Sequence, residues 1–409
     1  MNALQKTANE AWQLYRGRGQ ISSKLLRSHV YRAWERSHTQ KASPLHMKAE
    51  QLSAVETERL LQEKSDLIEA ARPYMLALSA AAGRERHAAM LGDAQANVLD
   101  VVADEATLHG PNGFPGPGSM LQEALSGANG IGTPLIENAY VELVGAEHFI
   151  QGFHVYTCQG IPIVGPGQEI VGVLSSSVRR PEASQRLREI MIVAAQGIGA
   201  ELIARQWESM LQHANHVQHA QFSPENLENL RQDLLQLYSA WRMHIELAAL
   251  HLSRSTQDQR PESGLRLLEA ASRAIERFRE QSMLCLRLTS PDPGLCDRFQ
   301  VRSVLDLMTE LLATEARMRR VTVLMSGPQD AWITANQRRL EKYVLRLFLE
   351  GLNAAEGDVL KVDVFPHSAA RPLEIRFTSR PDSKAYTSHT ALLISEQGAM
   401  TIEPCRSTL

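Results

Sequence analysis

The sequence predicts an α+β protein, and three observations carry that reading. Apolar residues recur at three- and four-residue spacing in the first 80 residues, after Glu182 and again after Pro224. Between these stretches lie short β-branched runs broken by glycine and other turn residues. After Phe299, helical and β-branched stretches alternate. The implied division is an N-terminal helical segment at 1–80, a sheet-containing domain at 81–208, a helical hairpin at 222–290 and a small α/β sandwich at 298–409.

Each element has its own signal. "SAVETERLLQEKSDLIEAARPYMLALSAAA" puts Leu60, Leu61, Leu67, Ile68, Ala71, Met75 and Leu78 at helical spacing, and Pro73 is expected to kink or split that helix. "HAAMLGDAQANVLDVVAD" reads as strand, tight turn at Gly92-Asp93, strand, and "HGPNGFPGPGSM" as a loop. "AYVELVG", "HVYTCQGIPIVG" and "EIVGVLSSS" read as strands of one antiparallel sheet, and "QRLREIMIVAAQGIGAELIARQWESMLQ" returns to helix. From Pro224 to about Leu288 two helical arms flank the polar "SRSTQDQRPESG". Leu230, Leu234, Leu237, Trp241, Ile245, Ala248 and Leu252 form one stripe; Leu265, Leu268, Ala271, Ile275, Phe278, Met283 and Leu286 form the other. A lone hairpin cannot bury so wide an apolar face, so a homodimer through a four-helix bundle is expected.

Composition narrows the function classes. A 44% hydrophobic and 22% charged chain of 409 residues suits soluble, packed domains. Net charge is −3 with no block of like charges, which speaks against direct nucleic-acid binding. "MNALQKTANEAWQLYRGRGQ" lacks the apolar core of a signal peptide, and no run approaches the ~18 apolar residues that span a bilayer. Cys158, Cys285, Cys296 and Cys405 are scattered with no C-x-x-C, as in reduced thiols. A cytoplasmic protein without membrane contact is the expectation.

The densest chemistry lies in "EHFIQGFHVYTCQGIPIVG", where His148, His154 and Cys158 fall close together. Imidazole and thiolate suit zinc, iron or copper, yet a fourth ligand is not evident. Catalysis by Cys158 assisted by His154 would need the two side chains in contact, which their spacing on a strand does not ensure. The preferred reading makes Glu147 and His148 loop-ordering residues, with His154 and Cys158 in packing or pocket positions. No metal or other cofactor is expected, and an organic ligand stays compatible with such a pocket.

The run from "GANGIGTPL" through "EHF", "H", "TCQGIPI" and "GVL" resembles the GAF sensor domain of acetoin- and glycerol-type sigma-54 activators. Gly132, Thr133, Leu135, Glu147, His148, Phe149, His154, Thr157, Cys158, Pro162 and Ile163 occupy the pattern's places. Upstream, "YRAWERS" resembles the S-W-x-R-S signature of the same proteins, with Ala33 in place of serine. The resemblance spans about Ser28 to Arg205 and implies a cytoplasmic small-molecule sensor, with Thr133, Glu147, His148, His154 and Cys158 as pocket candidates. No G-x-x-x-x-G-K-[ST] loop occurs, so the ATPase motor of those activators is missing. A helix-turn-helix is not evident either.

"LRQDLLQLYSAWRMHIELAALHL" resembles the dimerisation helix of sensor histidine kinases. Arg231, Asp233 and Leu234 fit an R-H-D-L motif, and Glu246, Leu247, Ala248 and Leu250 fit an E-L-A-L motif. The phosphoacceptor position then holds Gln232, whose amide lacks a nucleophilic ring nitrogen. His244 and His251 are possible substitutes, but Ile245 and Leu252 follow them where an acidic neighbour is usual. "WITANQRRLEKYVLRLFLEGLNAA" resembles the first ATP-site helix of the kinase catalytic domain, with Asn336, Arg346 and Glu350 at degenerate positions. Arg346 and Glu350 replace two asparagines, "TSRPDSKAYTS" replaces a D-x-G-x-G turn, and "ALLISEQGAMTIEP" follows as last helix and strand. Only Gly327, Gly351, Gly357 and Gly398 remain after Phe299, too few to cradle a triphosphate. The resemblance implies a catalytically inactive, dimeric kinase-like output that binds a response regulator, a sensor kinase or a transcription activator. The alternatives are phosphotransfer through His244 or His251, and an atypical active kinase.

Overall fold

The computed structural model describes residues 3–109, 114–214, 224–254, 262–289, 294–355, 357–367, 371–379 and 386–408. By its contacts the chain forms two units, Met1–Ser209 with Leu237–Arg279, and Met210–Gln236 with Glu280–Leu409.

The first unit begins with helices α1 (Ala3–Arg18), α2 (Ser28–Thr39), α3 (Ala54–Glu63) and α4 (Ser65–Ala82). Ser53 and Glu56 start α3 with a capping box, each satisfying a backbone N–H of the other. The break between α3 and α4 falls at Lys64 rather than at Pro73, and α4 runs through the proline. An interior proline costs about 3 kcal/mol. The burial of Tyr74, Met75 and Leu78 beside it offsets that cost, at roughly 1.5–3 kcal/mol for a large apolar side chain.

Five strands follow: β1 (His87–Asp93), β2 (Val98–Ala103), β3 (Val141–Val144), β4 (Thr157–Val164) and β5 (Ile170–Val178). They form the expected antiparallel sheet, in the order β2-β1-β5-β4-β3. The first turn lies beyond Gly92-Asp93. Asp93 Oδ1 accepts from the N–H groups of Gln95 and Asn97, drawing residues 94–97 into the turn. Gly92 stays in the strand, where a Cβ would approach Ile131 to 2.9 Å. One sheet face packs on α1, α2 and the 119–153 region through Trp12, Trp34, Ile131, Leu143, Phe149 and Val173. On the other lie α4 and the long helix α5 (Pro181–Ala214), with Leu67 against Gly172 and Gly199 against the Val164 carbonyl.

The hairpin arms are α6 (Pro224–Arg254) and α7 (Glu262–Thr289). Trp241, Ile245, Ala248, Leu252, Leu268, Ala271, Ile275 and Phe278 are buried within this one chain. Trp241 Nε1 donates to Tyr74 OH at 2.9 Å, its ring lies 4.8 Å from Phe278, and Ser272 Oγ donates to Gln196 at 3.2 Å. The premise that only a second chain can cover the stripe therefore fails for these residues, because α4 and α5 help to cover it. The side chains of Leu230, Leu234, Leu237, Met283 and Leu286 lie outside the described ones.

In the second unit α8 (Val301–Leu311), α9 (Ala313–Met318) and α10 (Gln337–Ala354) accompany a five-stranded sheet. With β6 (Asp297–Gln300), β7 (Thr322–Ser326), β8 (Trp332–Ala335), β9 (Val359–Phe365), β10 (Leu373–Ser379), β11 (Tyr386–Ile394) and β12 (Met400–Thr408), the order is β12-β11-β10-β9-β7. Among the described residues only β9 and β7 pair in parallel, while β6 and β8 form a separate antiparallel pair. Leu360, Val362, Leu373, Ile375 and Phe377 alternate inward, and Phe377 meets Phe348 of α10 at 5.2 Å. "ALLISEQGAMTIEP", expected as helix then strand, is instead part of the β11–β12 hairpin. Ser395 accepts from the Gly398 N–H, and Gly398 takes a φ of 78° that favours glycine.

Candidate functional site

The sequence motifs of the first unit meet at the docking of α2 onto the sheet domain. Trp34 is fully buried, with its ring 5.6 Å from Phe149 and its Nε1 donating to the Glu147 carbonyl at 2.7 Å. Glu147 is 1% exposed; its Oε2 accepts from the Val144 N–H at 2.8 Å, and Arg27 grips both carboxylate oxygens. Arg36 forks onto the buried Glu123 at 2.7 and 3.0 Å and reaches Glu137 at 2.8 Å, which Arg32 also holds. "YRAWERS" and "EHF" are thus two halves of one clamp. Buried pairs of this kind are stable only when both partners are hydrogen-bonded, which is the case here.

The candidate pocket residues sit around that clamp. Thr133 is buried, its hydroxyl accepting from the Asn129 N–H at 3.1 Å. His148 Nδ1 lies 2.9 Å from the Gly145 carbonyl, and His154 Nε2 lies 3.1 Å from the His148 carbonyl. Burial pushes both imidazoles down to about 4, so each is neutral and donates to its carbonyl. That leaves His148 Nε2 a buried lone pair without a hydrogen-bond partner. The Trp12 ring stands edge-on to His154 at 4.6 Å. Cys158 projects from β4, its sulfur 3.1 Å from Ser177 Oγ and its Cβ filling the space beside Gly130. Burial pushes its thiol up to about 12, the opposite of an activated nucleophile. Among the described residues no three His, Cys, Asp or Glu side chains converge as metal ligands.

Sequence reasoning singled out Glu147 and the signature that holds Arg36, but missed Arg27, Glu123 and Glu137 as their partners. It also missed Asn129, whose Nδ2 donates to the Leu121 and Gly127 carbonyls while its Oδ1 accepts from the N–H groups of Ile131 and Gly132. An asparagine between glycines in "GANGIG" was the available signal.

On the output side, Gln232 falls in α6 but its side chain lies outside the described ones. His244 is half-buried with Nδ1 unpartnered; His251 is exposed, with Nδ1 3.3 Å from Ser263 Oγ. Asn336 caps α10 by accepting from the Arg339 N–H at 2.9 Å. Arg346 and Glu350 form an exposed ion pair at 2.8 Å on the same helix. Residues 380–385 of "TSRPDSKAYTS" lie outside the described residues.

No protein-family model matches the chain. It is 27% identical over 154 residues to the signal-transduction and transcriptional-control protein of Clostridium beijerinckii, covering 37% of this chain and 24% of that protein. It is 24% identical over 205 residues to the acetoin dehydrogenase operon transcriptional activator AcoR of Bacillus subtilis, covering 50% and 34%. These relatives are bacterial signal-transduction and transcription-control proteins. The chain spans about a quarter to a third of their length. Among solved structures, the E. coli DhaR(N)–DhaL complex matches at a TM-score of 0.43 and 15% identity, over 47% of this chain and 66% of that one. Histidine kinase ThkA, solved with response regulator TrrA, matches at 0.20 and 11%, over 72% and 80%. Among the described residues no helix is long and apolar enough to cross a membrane.

Proposed function

We propose that this chain is a cytoplasmic bacterial signal-transduction regulator, a GAF-type sensor joined to a histidine-kinase-like output that has lost its chemistry. In this reading a small organic ligand in the sensor biases a homodimer that binds a response regulator, a sensor kinase or a transcription activator. The observation that carries it is on α10. Where the kinase pattern places two asparagines, the second of which helps to hold Mg²⁺, Arg346 and Glu350 satisfy each other. A guanidinium repels Mg²⁺, and a carboxylate paired with it is a poor ligand. The glycines support the same conclusion, since Gly327, Gly351 and Gly398 are pressed against Val364, Leu360 and Ala335 and are spoken for by packing.

Calorimetric titration with Mg-ATP tests the reading, and no saturable binding is expected. A micromolar constant abolished by Glu350→Ala overturns it.

A second reading draws on His251, whose ring is exposed near the end of α6 and accessible to a phosphorylated protein. Acid-labile label passing from a phosphorylated response regulator, and lost in His251→Ala, would establish phosphotransfer instead.

A further inference from the structure

The hairpin carries two seams of three- and four-residue spacing, Trp241, Ile245, Ala248 and Leu252 on α6 and Leu268, Ala271, Ile275 and Phe278 on α7. All eight side chains are at most 4% exposed within the single chain. Helices α4 and α5 of the first unit close over them. Trp241 donates to Tyr74 of α4 at 2.9 Å, and Ser272 of α7 donates to Gln196 of α5 at 3.2 Å. A Cβ at Gly83, just past α4, would stand 3.3 Å from the Ser253 carbonyl of α6, and Glu201 of α5 faces Tyr238 and Arg242. Two helices thus meet two helices inside one chain. A four-helix bundle closes in that way, and it leaves the seam no side for a second pair.

We infer that α4 and α5 are an autoinhibitory cover for the hairpin: while they are docked the chain is a monomer, and pairing through the seam requires their release. The inference rests on the homodimer of the reading above and says what holds it in check. The chemistry of the contact suits release. Tyr74, Trp241, Ser272 and Gln196 each end in a polar group that finds water when the helices part. Contacts between domains of one chain are characteristically more polar than a permanent core. The docked stretch is also joined to the rest of the chain by rigid elements. Leu237–Arg279 belongs with the first unit, yet α6 begins before it and α7 continues beyond it, within the second.

Sedimentation and light scattering of the full chain test this. Tyr74→Phe with Gln196→Ala removes both hydrogen bonds from the covering side and leaves every hairpin residue in place. Losing two such bonds should weaken the docking about tenfold. A dimer needs two released chains, so apparent dimerisation should strengthen about a hundredfold. The opposite arm locks the cover. Gln196→Cys with Ser272→Cys, joined by a short bifunctional thiol reagent and identified by peptide mass, should hold the chain monomeric. A dimer unmoved by the double substitution, or undiminished in the linked chain, overturns the competition and leaves the homodimer reading standing. Failure of the link to form means that the hairpin is not docked, with the same result. A chain that is monomeric in every form overturns both.

Discussion

His148 and His154 are groups of the first unit whose charge burial controls. Both are held near 4, below the ordinary 6.5, so the folded chain stays neutral at these rings while the unfolded chain takes up protons. Their contribution to stability is therefore fully present above about pH 6.5 and is lost as pH falls toward 4. The thermal midpoint should fall across that window, and the slope should be shallower in His148→Gln. A slope identical to wild type would mean that the ring is not held neutral. A second test concerns metals. With no three His, Cys, Asp or Glu side chains converging among the described residues, and Cys158 as a neutral thiol, protein purified without a histidine tag should carry no stoichiometric metal or haem by elemental analysis. One bound ion per chain, lost in His154→Ala, would make this a metal sensor. The sequence made these residues visible because their types are chemically unusual. It did not reveal Arg27, or which acid Arg36 holds, since their partners lie 87 to 120 residues away.

Helices α4, α5 and α6 meet at one ring. Tyr74 accepts the Trp241 N–H, and a Cβ at Gly197 would stand 2.4 Å from the Tyr74 ring. Gly197→Ala should therefore destabilise the fold by roughly 1–3 kcal/mol through overpacking. Ile245→Ala, at a site 1% exposed, should cost roughly 2–5 kcal/mol. Denaturant melts measure both, and unchanged midpoints would place the hairpin away from α4 and α5. The helices and the antiparallel sheet were legible because periods of 3.6 and 2 are local properties. The split expected at Pro73 and the helix expected in the β11–β12 hairpin were misread for the opposite reason. Long-range packing carried the first through a helix, and ladder pairing with β10 drew the second into strand.

Residues Leu237–Arg279 count with Met1–Ser209 in a single unit, so a fragment cut at 209 leaves Tyr74 and its neighbours uncovered. Fragment 1–209 should melt roughly 5–10 °C below fragment 1–289 and bind more of an apolar dye. Equal midpoints would mean that the hairpin adds nothing to the stability of residues 1–209. The covering of the hairpin stripe by its own chain could not be read from the sequence, because periodicity says that a face is buried and never by what. The clamp on α2 has a further effect, on the timing of synthesis. Arg27 and Arg36 leave the ribosome 87 to 120 residues ahead of Glu123 and Glu147. At about 5–20 residues per second, Trp34 and its helix wait roughly 4–24 s for the surface that buries them. For that interval Trp34 has only Trp12 and Tyr15 of α1 to pack against, so a chaperone has a long opportunity at this helix.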